Sequence, residues 1–164
     1  MLEIWPELPI FIHNLDCQTK EAGDDVAAAL TLNHRVYGIR LENTSDPAWE
    51  TWVSLMQHPF PVLRYLWVRP FISIKNAISR SFLSGSAPCL QDLVLIDVPF
   101  PALPELLFSA TNLVRLLYKG ISISGYIPPQ AMATGLSVLT RLEVLSILFR
   151  VPQLVLRQLR LIVG

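Results

Sequence analysis

The chain has 164 residues, with 13 lysines and arginines against 13 aspartates and glutamates and only two cysteines, a balance that disfavours a strongly basic nucleic-acid binder or a disulfide scaffold. Hydrophobic residues make up 52% and charged residues 16%, too apolar for an intrinsically disordered chain and enough for one well-cored domain. No stretch approaches the roughly 18 uninterrupted apolar residues a bilayer span demands: the most apolar region, Leu90–Ala110, carries Asp92, Asp97, Glu105 and three prolines.

Glu3, Pro6, Glu7 and Pro9 interrupt any secretory h-region, so the expectation is a cytoplasmic or nuclear protein with reduced Cys17 and Cys89. Ile10–His13 reads as a fragmentary first strand. Helical candidates follow at Asp24–Leu32, Pro47–Gln57, Pro101–Ala110 and Pro128–Leu139. Asp46-Pro47 supplies an N-cap residue before a first-turn proline, and Trp49, Trp52, Val53 and Met56 then share one face. Between the second and third of these helices, Asn76–Ser84 is short and runs into Ser84-Gly85-Ser86, which leaves room for one or two turns at most.

Each helical candidate precedes a strand that repeats one pattern. Apolar-x-x-apolar-x-apolar occurs at Val36/Ile39/Leu41, Leu63/Leu66/Val68, Leu90/Leu93/Leu95, Leu113/Leu116/Tyr118 and Leu142/Leu145/Ile147, with start-to-start spacings of 27, 27, 23 and 29. Those intervals fall in the 20–29 range of leucine-rich repeats. Helix and strand alternate, which predicts an α/β fold. Strands of a doubly wound sheet are apolar on both faces, whereas here Arg40, Arg64, Arg69, Asp92, Arg115 and Glu143 interrupt the apolar runs. The prediction is therefore a short leucine-rich-repeat-like solenoid, with parallel strands on its concave face and helices on its convex face. About five units fill residues 1–149, and residues 150–164 form an atypical tail or cap, rich in leucine with Arg157 and Arg160.

Several segments resemble a known family, the F-box-associated leucine-rich-repeat proteins of mushroom-forming fungi. They are Asp25–Leu30 with Asn33–Val36, Trp49-Glu50 with Met56–Pro61, Ser81–Pro88, Val98–Pro104 with Leu107–Val114, and Ser124–Ile127 to Leu139–Glu143. The resemblance spans about residues 5–149. It implies a horseshoe-like interaction module; in full-length relatives an F-box docks on a cullin-type ubiquitin ligase while the repeats hold a target. No F-box pattern precedes Trp5, so the expectation is a fragment without that adaptor-binding part. The usual asparagine or cysteine ladder after each strand is replaced by Thr44, Phe71, Val98, Ile121 and Arg150, so the turns must be paired in another way.

Alternation along each strand then gives the concave face: Gly38, Arg40 and Glu42; Tyr65, Trp67 and Arg69; Asp92, Val94 and Ile96; Arg115, Leu117 and Lys119; Val144, Ser146 and Leu148. Arg40, Tyr65, Trp67, Arg69, Asp92, Arg115 and Lys119 are the candidate partner-binding residues, since Tyr, Trp and Arg dominate binding hot spots. His13, His34 and His58 show no paired metal-ligand spacing with the cysteines, and no phosphate-cradling glycine motif follows a strand, so neither metal nor cofactor is expected. Asn43-Thr44-Ser45 fits the glycosylation pattern by chance alone if the chain is not secreted. Two readings compete: a truncated fragment without independent activity, and a small α/β enzyme, for which polar groups belong at the carboxyl ends of the strands; those ends are Asn43, Pro70, Asp97, Gly120 and Phe149, with Asp97 the one plausible chemical group.

Overall fold

Short runs of Leu, Ile and Val alternating with polar or aromatic residues become strands because the branched side chains of one face can be buried together on a pleated surface. The structure is a computed structural model and describes residues 8–15, 19–42, 46–71, 74–150 and 159–162, with backbone alone at 46–47 and 159–162. In chain order the elements are β1 (Ile10–Asn14), α1 (Lys20–Leu30), β2 (Val36–Glu42), α2 (Asp46–Leu55), β3 (Tyr65–Arg69), β4 (Asp92–Ile96), α3 (Leu103–Leu107), β5 (Arg115–Ile121), α4 (Pro129–Ser137), β6 (Val144–Phe149) and β7 (Leu159–Ile162), with 3-10 turns at Phe82–Gly85 and Ile123–Gly125. The expected α/β class is correct. Among the described residues the strands form one sheet whose order is the order of the chain, β1 to β7. The first six are parallel, and β7 lies antiparallel on the outer edge of β6.

One side of this sheet is dry. Ile39, Leu41, Leu66, Val68, Leu93, Leu95, Leu116 and Tyr118 are buried there against helix residues such as Leu30, Trp52, Leu106 and Leu107, in a single core. At about 25 cal/mol per Å² of apolar surface, this shared core is the main term holding the strands in register. Tyr118 is the one polar member of that set: its hydroxyl accepts the Phe100 N–H (2.9 Å) and donates to the Gly125 carbonyl (3.4 Å). Burial raises the pKa of its phenol, and the bond from the Phe100 N–H acts the other way.

The helices differ from expectation at their ends for local reasons. α1 starts four residues before Asp24 because Thr19 caps it, its hydroxyl accepting the Ala22 N–H at 3.3 Å. α2 begins at Asp46, one residue early, and buries Trp49, Trp52 and Met56 as expected. The Trp52 indole N–H donates to the Gly23 carbonyl (3.2 Å) and ties α2 to α1. α3 keeps only Leu103–Leu107 of the ten-residue expectation, since Pro101 and Ala102 form a turn and Ser109 leaves the helix to accept the Ala87 N–H. α4 is nearly as long as expected.

Where the third unit lacks a helix, aromatic packing takes its place. Phe82 and Leu83 are fully buried, the Phe82 and Phe100 rings meet edge to face at 5.5 Å, and the Leu83 N–H donates to Met56 O at 2.7 Å. Leu83 and Ser84 adopt the left-handed region (φ 53° and 58°), a cost this packing offsets.

The missing ladder after the strands is replaced by one in front of them. The same backbone bond is repeated four times between five successive segments, from Arg64 to Tyr37, Gln91 to Arg64, Val114 to Gln91 and Glu143 to Val114, each N–H to O at 2.8 Å. Side chains reinforce it: Asn33 donates to Pro59 O (2.7 Å), Asn112 to Pro88 O (2.9 Å), and Arg141 to the Asn112 amide oxygen (3.0 Å). Val98 and Ile121, at the usual ladder positions, are buried apolar residues instead. Thr44, Cys17, the Asn43-Thr44-Ser45 motif and most of the tail lie outside the described residues.

Candidate functional site

The other side of the sheet carries no helix among the described residues, and its side chains line up in rows fixed by register. One row runs Phe11, Gly38, Tyr65, Asp92, Arg115, Val144; the next runs His13, Arg40, Trp67, Val94, Leu117, Ser146. Glu42 pairs with Arg69, Ile96 with Lys119, and Lys119 with Leu148, in a third. All seven residues expected on this face stand in these three rows. Neighbours along a row are about 4.8 Å apart and successive rows about 6.8 Å apart, so the set forms one continuous surface.

Arg40 and Trp67 are brought into direct contact: the guanidinium carbon lies 4.9 Å from the indole centroid, a cation–π arrangement. Glu42 also fixes the guanidinium, its Oε1 accepting from Nε (2.9 Å) and Nη2 (2.7 Å). Asp92 and Arg115 form a second ion pair one row away. Exposed pairs of this kind add about 0–1 kcal/mol each to stability, so their main consequence is to fix side-chain geometry and neutralise the two guanidinium groups. Arg69 and Lys119 are different. Among the described residues neither takes part in an ion pair.

Two aromatic residues belong to the site that sequence reasoning missed. The register slips between Ile10 and Phe11, which sets Phe11 opposite Gly38 and leaves Tyr37 without a pairing partner. The Phe11 ring then occupies the space over Gly38, where any Cβ would collide with it. Phe11 and Tyr37 stack edge to face at 5.5 Å, and Tyr37 and Tyr65 at 6.4 Å. The available signal was the glycine itself: an aromatic residue in the Ile10–His13 strand opposite a strand-interior glycine marks close approach.

These aromatic residues, with Arg40, Asp92 and Arg115, wall a cleft of about 460 Å³ floored by Val94. Trp67 is the member with unfinished chemistry, since its indole N–H is buried and has no hydrogen-bond acceptor among the described residues. A larger concavity, about 580 Å³, lies on the helix layer between α2 and residues 74–78, beside the unit that lacks a full helix. Among its lining residues Trp49 is the one aromatic and Glu50 and Lys75 the charged groups, so it gathers no comparable cluster.

Asp97, the residue an enzyme reading depended on, is engaged structurally. Its φ is +58°, its N–H donates to Lys119 O (2.9 Å), and its carboxylate pairs with Arg150 at 3.0 Å. The carboxylate packs over Gly120, where φ is +69° and a Cβ would strike it. Among the described residues, no group of three histidines, cysteines or carboxylates is placed to hold a metal ion, and no helix is long and apolar enough to cross a membrane.

No family model, curated protein or solved structure matches the chain.

Proposed function

We propose that this chain is a non-catalytic protein–protein interaction module, a leucine-rich-repeat-like α/β solenoid that presents the open face of its sheet to a protein target. The observation that carries the reading is the Arg40–Trp67 cleft: four aromatic residues and two arginines meet on the side of the sheet away from the helices, with both guanidinium groups already fixed by carboxylates and an indole N–H lacking an acceptor among the described residues. Chain-order parallel strands and a step repeated four times at 2.8 Å across five segments support the solenoid reading. The antiparallel β7 supports a capping role for the tail. By its resemblance to the fungal F-box-associated proteins, the module is the target-binding part of a ubiquitin ligase substrate receptor, working in the cytoplasm or nucleus; the ligase adaptor is a partner only where an F-box is joined to it.

Affinity capture with the wild-type chain, with Trp67→Ala/Arg69→Ala and with Lys75→Ala tests this. Lys75 lines the other concavity. The expected result is a set of proteins retained by the wild type and by Lys75→Ala, lost by the double variant, with unchanged circular dichroism for all three. Identical capture by the double variant would contradict the reading.

A further inference from the structure

Charge on the open face is unevenly settled, and this names the chemistry of the partner; the inference rests on the reading above. Arg40 and Arg115 hold Glu42 and Asp92, so the two rows that form the cleft are close to neutral. The third row is not. Arg69 and Lys119 have no counter-ion among the described residues, and they flank the same position. Lys119 pairs in register with Ile96, while Arg69 follows Val68, whose partner Leu95 precedes Ile96. The two cations therefore stand two strands apart, about 9.6 Å between backbones, and their long stems can converge over Ile96 on one anion. The carboxylate beside Arg69 in that row, Glu42, is held by Arg40, and Asp97, next along the strand from Ile96, is paired with Arg150.

The cleft itself asks for something different. Its walls are Phe11, Tyr37, Tyr65 and Trp67, and its floor is Val94. A cation entering it would compete with Arg40 for the Trp67 ring, and an anion would compete with Glu42 and Asp92 for guanidinium groups already paired. An uncharged apolar or aromatic side chain meets neither cost. From the Trp67 row to the Arg69 row is about 6.8 Å, the span of two residues of extended chain.

We infer that the partner of this face is an extended acidic peptide that seats an aromatic or apolar side chain in the cleft over Val94 and, two residues away, a carboxylate between Arg69 and Lys119.

Panning a random dodecapeptide display library over the full chain, over Trp67→Ala and over Arg69→Gln/Lys119→Gln tests the inference, with circular dichroism to confirm that each variant folds. The expected result is enrichment of aromatic-x-acidic sequences on the wild type. A synthetic peptide with the enriched sequence should bind about tenfold more weakly to the double glutamine variant, with a flatter salt dependence, and should not bind Trp67→Ala. Trp67-dependent peptides without an acidic residue, or with basic ones, would overturn this inference and leave the interaction-module reading standing. Absence of any Trp67-dependent peptide would overturn both. Binding to phosphatidylserine vesicles that needs Arg69 and Lys119, with no peptide enrichment, would overturn it in favour of an anionic membrane surface.

Discussion

The two faces of the same strands obey opposite rules. Toward the helices, Leu41, Leu66, Val68, Leu93, Leu95, Leu116 and Tyr118 are fully buried, and one hydroxyl is the only polar group among them. Toward the open side, one residue along, stand Arg40, Tyr65, Trp67, Arg69, Asp92, Arg115 and Lys119, all partly or largely exposed. A strand alternates its side chains by geometry alone, so the chain can hold the core nearly constant from unit to unit while every open-face residue changes. Core packing and the chemistry of the open face are therefore separable residue by residue, and substitutions on the two faces should differ sharply in what they cost.

The largest effect is expected on the buried face. Leu93→Asp places a carboxylate where the wild-type side chain has no exposure, and it should cost about 4 kcal/mol or more, enough to abolish a cooperative thermal transition. Gly120→Ala comes next. Its φ of +69° and the Asp97 carboxylate over it leave no room for a Cβ, so the urea midpoint should fall by the equivalent of about 2 kcal/mol.

Tyr118→Phe should cost about 1 kcal/mol by stripping the Phe100 N–H of its acceptor. It should also change the alkaline limb of stability. Because burial raises the folded-state pKa of Tyr118 above the ordinary value of 10.0, the native chain holds that proton longer than the unfolded one. The stabilisation is complete below the unfolded pKa and is lost as pH rises past it toward the raised folded value. Urea midpoints of the wild type should therefore begin to drop as pH passes about 10, and part of that drop should vanish in Tyr118→Phe.

The smallest effect belongs to the open face. Arg115→Ala removes an exposed ion pair with Asp92 and should change stability by about 1 kcal/mol or less. A loss well above that, measured in the same urea titration, would mean that the open face also carries the fold.

Much of this architecture was legible in sequence because the buried face is redundant. Five copies of one apolar pattern, spaced 23 to 29 residues apart, marked β2 to β6 and set the open-face residues apart from the core ones. Ends were less legible. Thr19 was overlooked as a cap because the first turn behind it, from Lys20 to Gly23, holds no buried residue. The ladder before the strands was hidden since it runs through the backbone N–H groups of Arg64, Gln91, Val114 and Glu143, which share no residue type, and its side-chain reinforcements stand one residue before the apolar pattern at Asn112 and Arg141 but three before it at Asn33. In the site, Phe11 and Tyr37 escaped notice because a register slip between β1 and β2, invisible to periodicity, moves both toward the open face. Pairing choices such as Arg40 with Glu42, within one strand, were also open until side-chain geometry decided them.

The separation of the two faces is tested most directly by single-cysteine labelling along β3 and β5 in a background where Cys17 and Cys89 are serine. Under native conditions, cysteines at positions 65, 67, 115 and 117 should react with a maleimide at rates near those of exposed thiols, while those at 66, 68, 116 and 118 should react only at the rate of global unfolding. Equal rates at neighbouring positions, or protection of the first set in the unbound chain, would contradict an open recognition face backed by a closed core.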